Sequence, residues 1–232
     1  MVARAAGVPV LEPADSMEAK EYMKAAFEIS EVFDRPVILR TTTRLAHSQG
    51  IVELCDRQEV EDVPYVKNIG KTVMMPGNAK MRHVEIEKRN LELAEAANTM
   101  PINTVEMNDT KIGVITSGIP YQYVKEVLPN ASVLKLGMVN PLPKKLITEF
   151  ASKVDTLYIV EELEPVIEEQ VKSWGIKAIG KEILTIQGEY SANMIRKAIL
   201  GEDLDVKAPA AAPGDIVPEK VCCICFSGHV KT

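Results

Sequence analysis

The sequence predicts an α/β protein: a parallel sheet with helices packed on it, preceded by one helix–strand unit. Three observations carry this. From residue 111 to 200 short apolar runs alternate with amphipathic stretches, an order that right-handed crossovers turn into a parallel sheet with helices on both faces. Pro, Gly and Asn punctuate the junctions. The 232 residues are 46% hydrophobic and 26% charged, a globular composition with enough apolar content for a core.

The first helix is expected to open at Asp15, an N-cap with Glu18 three residues on. Ala19, Tyr22, Met23, Ala26, Phe27 and Phe33 then recur at helical spacing. Pro36 stops it, because the residue before a proline is pushed out of helical geometry. Val37-Ile38-Leu39 reads as a buried parallel strand with Arg40-Thr41-Thr42-Thr43-Arg44 at its carboxyl end. One helix and one strand cannot make a sheet, so residues 1–54 are expected to be the last αβ unit of a truncated domain. Its apolar face over 19–33 would then be exposed, with poor solubility as the consequence.

Residues 55–108 read as a helical connector, with a break at Pro76-Gly77-Asn78 and a strong helix former from Lys80 to Asn98. The whole domain follows at 109–205. Strands are expected at 111–116, 132–137, 156–160 and, briefly, 177–179. Helices are expected at 121–128, 144–153, 164–174 and 191–200. Residues 206–232 begin with an Ala/Pro-rich linker.

Several function classes fall away. A net charge of −6 without a long basic run argues against nucleic acid. No apolar stretch approaches the roughly 18 residues of a membrane span, and Met1 to Val10 lacks the features of a secretory signal. A cytoplasmic protein is expected. Three of the four cysteines, Cys222, Cys223 and Cys225, crowd near the end with His229 close by. A closed zinc site needs a fourth ligand, and Cys55 is distant, so no metal site is expected in this chain.

Ligands of open α/β sheets gather at the carboxyl ends of strands. Thr43, Arg44, His47 and Ser48 are the candidate substrate contacts there, a guanidinium fork with hydroxyls suited to a carboxylate or phosphate. The plainer alternative is that Arg40 and Arg44 form ordinary ion pairs and His47 bonds a nearby backbone. Ser117-Gly118 opens a helix whose amides suit an anion, but no glycine-rich pattern surrounds it, and it reads as a structural turn. Asn140 and Glu161-Glu162 are expected on the same edge, the two glutamates as a solvated or subunit-facing acidic rim. Gly70-Lys71-Thr72 is not a P-loop, since Tyr65 stands where the first glycine would be. The sequons at Asn108 and Asn130 carry no meaning for a cytoplasmic chain.

Taken in order, several segments resemble one family. They are Val8 to Ser16, Arg40 to Ser48, Pro76 to His83, Ile115 to Gly118, Leu136 to Pro143, and Val160 to Pro165 with Glu168 to Val171. Together they resemble the alpha subunit of indolepyruvate:ferredoxin oxidoreductases, over roughly residues 5–205. The resemblance implies a transketolase-C-terminal-like domain at 109–205, preceded by the end of a pyrimidine-binding domain at 1–54 and followed at 206–232 by the start of a diphosphate-binding domain. It implies oxidative decarboxylation of aryl pyruvates to acyl-CoA with reduction of ferredoxin, and a beta subunit as partner.

Thiamine diphosphate, Mg²⁺ and [4Fe-4S] clusters are implied for the full-length enzyme. The chain lacks the glutamate that activates the cofactor's aminopyrimidine. Gly214-Asp215 has no following Asn, and Cys222-Cys223-Ile224-Cys225-Phe226 keeps only the outer cysteines of the family's Cys-Pro-Gly-Cys-Pro-His. This chain is therefore expected to be an internal fragment that binds none of these groups and is inactive alone. The alternatives are a non-catalytic subunit-assembly module, or a CoA- or nucleotide-binding domain using Ser117-Gly118.

Overall fold

A computed structural model describes residues 2–57, 59 and 64–203. The linker, Gly214-Asp215, Cys222, Cys223, Cys225 and His229 lie outside the described residues.

After a short helix α1 (Val2–Ala5), strand β1 (Val10–Leu11) leads into helix α2 (Ser16–Phe33) and strand β2 (Ile38–Leu39). Asp15 caps α2 as the sequence predicts, accepting from the Glu18 amide at 2.8 Å, while the Glu18 carboxylate accepts from the Ala14 amide at 2.8 Å. This reciprocal pair satisfies donors that a helix start otherwise leaves open. At the other end Asp34 turns left-handed, at φ 48°. Its carboxylate gathers Lys71, Arg82 and Arg89.

After helix α3 (Thr43–His47) come α4 (Ile69–Thr72) and α5 (Pro76–Ala96). Pro76 does not break this helix. It sits in the first turn, where a missing N–H costs nothing. Lys71, in the P-loop-like triplet, lies in α4 and pairs with Asp34.

Strands β3 (Thr104–Glu106), β4 (Asp109–Ser117), β5 (Ala131–Leu136) and β7 (Thr156–Val160) form a sheet in the order β3-β5-β4-β7. Its parallel core is β5-β4-β7, and β3 adds an antiparallel edge. Helices α6 (Pro120–Val127) and α9 (Ala192–Leu200) pack on one face through Val124, Val127 and Ile195 against Val114 and Val133. On the other face, α7 (Lys144–Ala151) and α8 (Val166–Ser173) bury Ile147, Phe150, Ile167 and Val171 against Ile115, Leu134 and Ile159. Val114 and Ile115 thus serve opposite faces, as strand alternation requires. The predicted strand at 177–179 reduces to one bridge, Ile179 to Tyr158.

Three expectations need correction. The N-terminal unit does have a sheet. Strand β6 (Met138–Asn140) reaches across to pair antiparallel with β1, which pairs parallel with β2, in the order β2-β1-β6. And β2 is an edge strand, so Ile38 is 43% exposed rather than buried. The apolar face of α2 is only partly bare. Tyr22, Ala26 and Ile29 pack with Leu93, Ala97 and Met138, whereas Phe27 and Val32 stay exposed.

Candidate functional site

Strands β1 and β2 run parallel, as do β4 and β7, and their carboxyl ends meet around a cleft of about 640 Å³. That volume suits a small organic ligand. Arg40, Thr41 and Thr42 enter it after β2, Glu12 after β1, Ser117 and Gly118 after β4, and Glu161 and Glu162 after β7.

Glu12 is the hub. Its side chain is nearly enclosed, accepts a 2.8 Å hydrogen bond from Ser117 Oγ and is paired with Arg40 Nη1. Its amide donates to the Gly137 carbonyl at 2.8 Å. One carboxylate therefore joins the ends of β1, β2 and β4. Gly118 follows in the left-handed region, at φ 57°, where a glycine costs least.

Glu161 and Glu162 are not a solvated acidic rim. The Glu161 carboxylate is buried and accepts from the amides of Ile167, at 2.9 Å, and Glu168, at 2.9 Å, capping the start of α8. Burial nevertheless pushes it up to about 7, against the pull of those two amides and of Lys181. Glu162 accepts from the Tyr190 amide at 2.9 Å, and burial raises it too. Behind them Lys181 Nζ donates to the Glu161 carbonyl and, at 2.8 Å, to the Tyr190 hydroxyl. Asn140 donates at 2.7 Å to the Val8 carbonyl, on the same edge.

Thr43, Arg44 and His47 sit on α3 and Ser48 is its C-terminal cap, all four beyond the residues that line the cleft. Thr43, Arg44, His47 and Ser48 are all exposed. Thr42 Oγ1 caps the helix by accepting from the Leu45 amide at 3.3 Å, and Ser48 Oγ donates to the Leu45 carbonyl at 2.9 Å. Arg44 donates from Nε and Nη2 to the two carboxylate oxygens of Glu189, both at 2.8 Å, and this pairing holds its guanidinium above the ordinary value. Glu12 escapes the sequence reading because its strand has two residues. The signal available was the apolar Val8-Pro9-Val10-Leu11 ending in an acid.

Among the described residues no group of three or more His, Cys, Asp or Glu side chains could hold a metal ion. Nor is any helix there long and apolar enough to cross a membrane.

No protein-family profile matches the sequence. Three curated relatives carry the name indolepyruvate oxidoreductase subunit IorA. The one from Pyrococcus horikoshii is 42% identical, covering 90% of this chain and 35% of the relative. The one from Archaeoglobus fulgidus is 36% identical, covering 84% and 33%. The one from Methanothermobacter marburgensis is 34% identical, covering 91% and 39%. They bear out the resemblance carried by the motifs, and the chain spans about a third of their length. A solved 2-oxoglutarate:ferredoxin oxidoreductase from Magnetococcus marinus, with 2-oxoglutarate, coenzyme A and succinyl-CoA bound, has a TM-score of 0.59 at 15% identity. The likeness covers 83% of this chain and 42% of that one, and is one of fold.

Proposed function

From the premise that this chain is related, over most of its length, to one stretch of the IorA subunit of indolepyruvate oxidoreductases, we propose that it works as part of an indolepyruvate:ferredoxin oxidoreductase alpha subunit. The activity is oxidative decarboxylation of aryl pyruvates to acyl-CoA with reduction of ferredoxin, in the cytoplasm and together with a beta subunit. The observation that carries this is the 42% identity to the Pyrococcus subunit across nine-tenths of the chain.

In this reading residues 1–54 end a pyrimidine-binding domain and 55–108 connect it to a transketolase-C-terminal-like domain at 109–205. Residues 206–232 lead into a diphosphate-binding domain. Thr43, Arg44, His47 and Ser48, exposed on α3 and at its C-terminal cap, are the outer substrate contacts in this reading, beyond the cleft lining.

Thiamine diphosphate, Mg²⁺ and [4Fe-4S] clusters belong to the full-length enzyme. Among the described residues no cluster of His, Cys, Asp or Glu could ligate Mg²⁺ or an iron–sulfur cluster. What these residues do is shape and orient. Buried Glu161 anchors α8, and Glu12 draws three strand ends into one wall of the cleft.

The test replaces the matching third of the Pyrococcus subunit with this chain and assembles the enzyme with its partner subunit. Indolepyruvate-dependent ferredoxin reduction within tenfold of the parent supports the reading. A complex that assembles with both subunits and full cofactor content yet does not turn over contradicts it.

A further inference from the structure

We infer that the cleft holds an oxyanion, a carboxylate or phosphate group, at Arg40, with Arg4 as a second cation of the same lining. The inference rests on the proposed function for the identity of the ligand that carries this group, and on the cleft alone for the site.

The reasoning is a count of spent and unspent hydrogen-bonding groups. The lining carboxylates on the strand ends are already served from within the protein. Glu12 takes Ser117 Oγ and Arg40 Nη1, Glu161 takes two α8 amides, and Glu162 takes the Tyr190 amide. Glu164 is the remaining acid of the lining, exposed at the turn before α8. Asn140 donates one amide N–H to the Val8 carbonyl.

The donors are not spent. Arg4, on α1, lines the cleft and has no ion-pair partner among the described residues. Arg40 lines it as well, uses one nitrogen on Glu12 and lies in the field of Glu162, while its Nε and Nη2 make no hydrogen bond among the described residues. A guanidinium in a cleft wall with uncommitted N–H groups is complemented by an oxyanion, which accepts two of them side by side.

The fork is also held in place. Glu12 grips Arg40 and is itself gripped by Ser117, so the ligand does not bear the cost of ordering that side chain. Arg44, by contrast, has both donating edges committed to Glu189. The cleft's anion contact is therefore four residues upstream of the arginine that the sequence singles out.

Two sources offer this chemistry, the carboxylate of a 2-oxoacid and a phosphate of coenzyme A. Titration of the chain by calorimetry and by amide chemical-shift perturbation, with phenylpyruvate, coenzyme A and inorganic phosphate in separate arms, distinguishes them. Saturable binding in any arm, with shifts at Arg40, Thr41 and Gly118, is expected, and the tighter organic arm names the source. Arg40→Lys should weaken it at least tenfold. Arg4→Ala, which removes an exposed side chain with no ion pair among the described residues, should weaken it at least threefold. No saturation below 10-fold molar excess at millimolar chain overturns the inference. So does binding that both variants leave unchanged. Phosphate binding lost in both variants, beside an inactive chimeric enzyme, would sink the family reading and keep the site. An active chimera with unaffected variants would do the reverse.

Discussion

Arg44 and Glu189 face each other fork to fork, Nε to Oε1 and Nη2 to Oε2, both at 2.8 Å across 145 residues of sequence. The pair ties the helix after β2 to the loop before α9. Both side chains are about half exposed, so solvent screening limits what the pair adds to stability. Glu189→Gln should lower stability by less than about 1 kcal/mol in denaturant titration. If Arg44 serves substrate at the rim, Arg44→Ala in the assembled enzyme should raise the KM for the aryl pyruvate. A loss of several kcal/mol on Glu189→Gln would make the pair a structural strut instead.

Glu161 gives a pH prediction with a definite sign. Its folded value of about 7 lies above the ordinary 4.5, so the folded protein holds this proton more tightly than the unfolded chain does. Its contribution is full below about pH 4.5 and is lost as pH rises through 7, a change on the order of 3 kcal/mol. The difference in stability between wild type and Glu161→Gln, followed from pH 4 to 8, should shift against the wild type as pH rises. A difference independent of pH would show that the carboxyl titrates normally.

Lys135 points the other way. It is enclosed on β5 against Tyr121, whose ring centroid is 4.7 Å from Nζ, and pairs with Glu18 of α2. Burial pulls it down to about 8 from 10.5. The unfolded chain therefore binds this proton more tightly, and stability should rise between about pH 8 and 10. Tyr22 and Tyr121, pushed up to about 12 by burial, reverse the trend above pH 10 because the unfolded phenols ionise first. Lys135→Met should remove the rise and leave the fall. A wild-type profile that only declines from pH 8 would refute the assignment.

Leu93 of α5 is fully buried with Tyr22, Ala26 and Ile29 of α2. Leu93→Ala should cost about 2–5 kcal/mol, the range for a leucine cavity in a packed core. Hydrogen exchange should quicken in α2 and α5 before it does in β4 and β5. A cost below 1 kcal/mol would mean that the two helices are only loosely docked.

What the sequence makes legible follows the range of the forces involved. Strand β7 falls at 156–160 as expected, because a β-branched and aromatic run between polar breaks carries its own signal. The Asp15 cap is equally local. Strands β1 and β6, of two and three residues, are too short to show periodicity, so the sheet that joins the two ends of the fold is hidden. Glu12 and Ser117 are 105 positions apart, and nothing near either residue announces the other. Glu161 reads as solvated because adjacency to a second acid says nothing of the helix start that folds back onto it. Arg44 stands out as a charged residue in a hydroxyl-rich run, yet the arginine after β2 that lines the cleft is Arg40.

The most direct measurement of the central claim is substrate choice by the assembled enzyme carrying this chain in place of the matching stretch of an IorA subunit. Ferredoxin reduction is followed with indolepyruvate, phenylpyruvate, pyruvate and 2-oxoglutarate, each with and without coenzyme A. The account predicts coenzyme A-dependent turnover with kcat/KM for the two aryl pyruvates at least tenfold above the others. Equal turnover of all four, or a preference for 2-oxoglutarate, would contradict it.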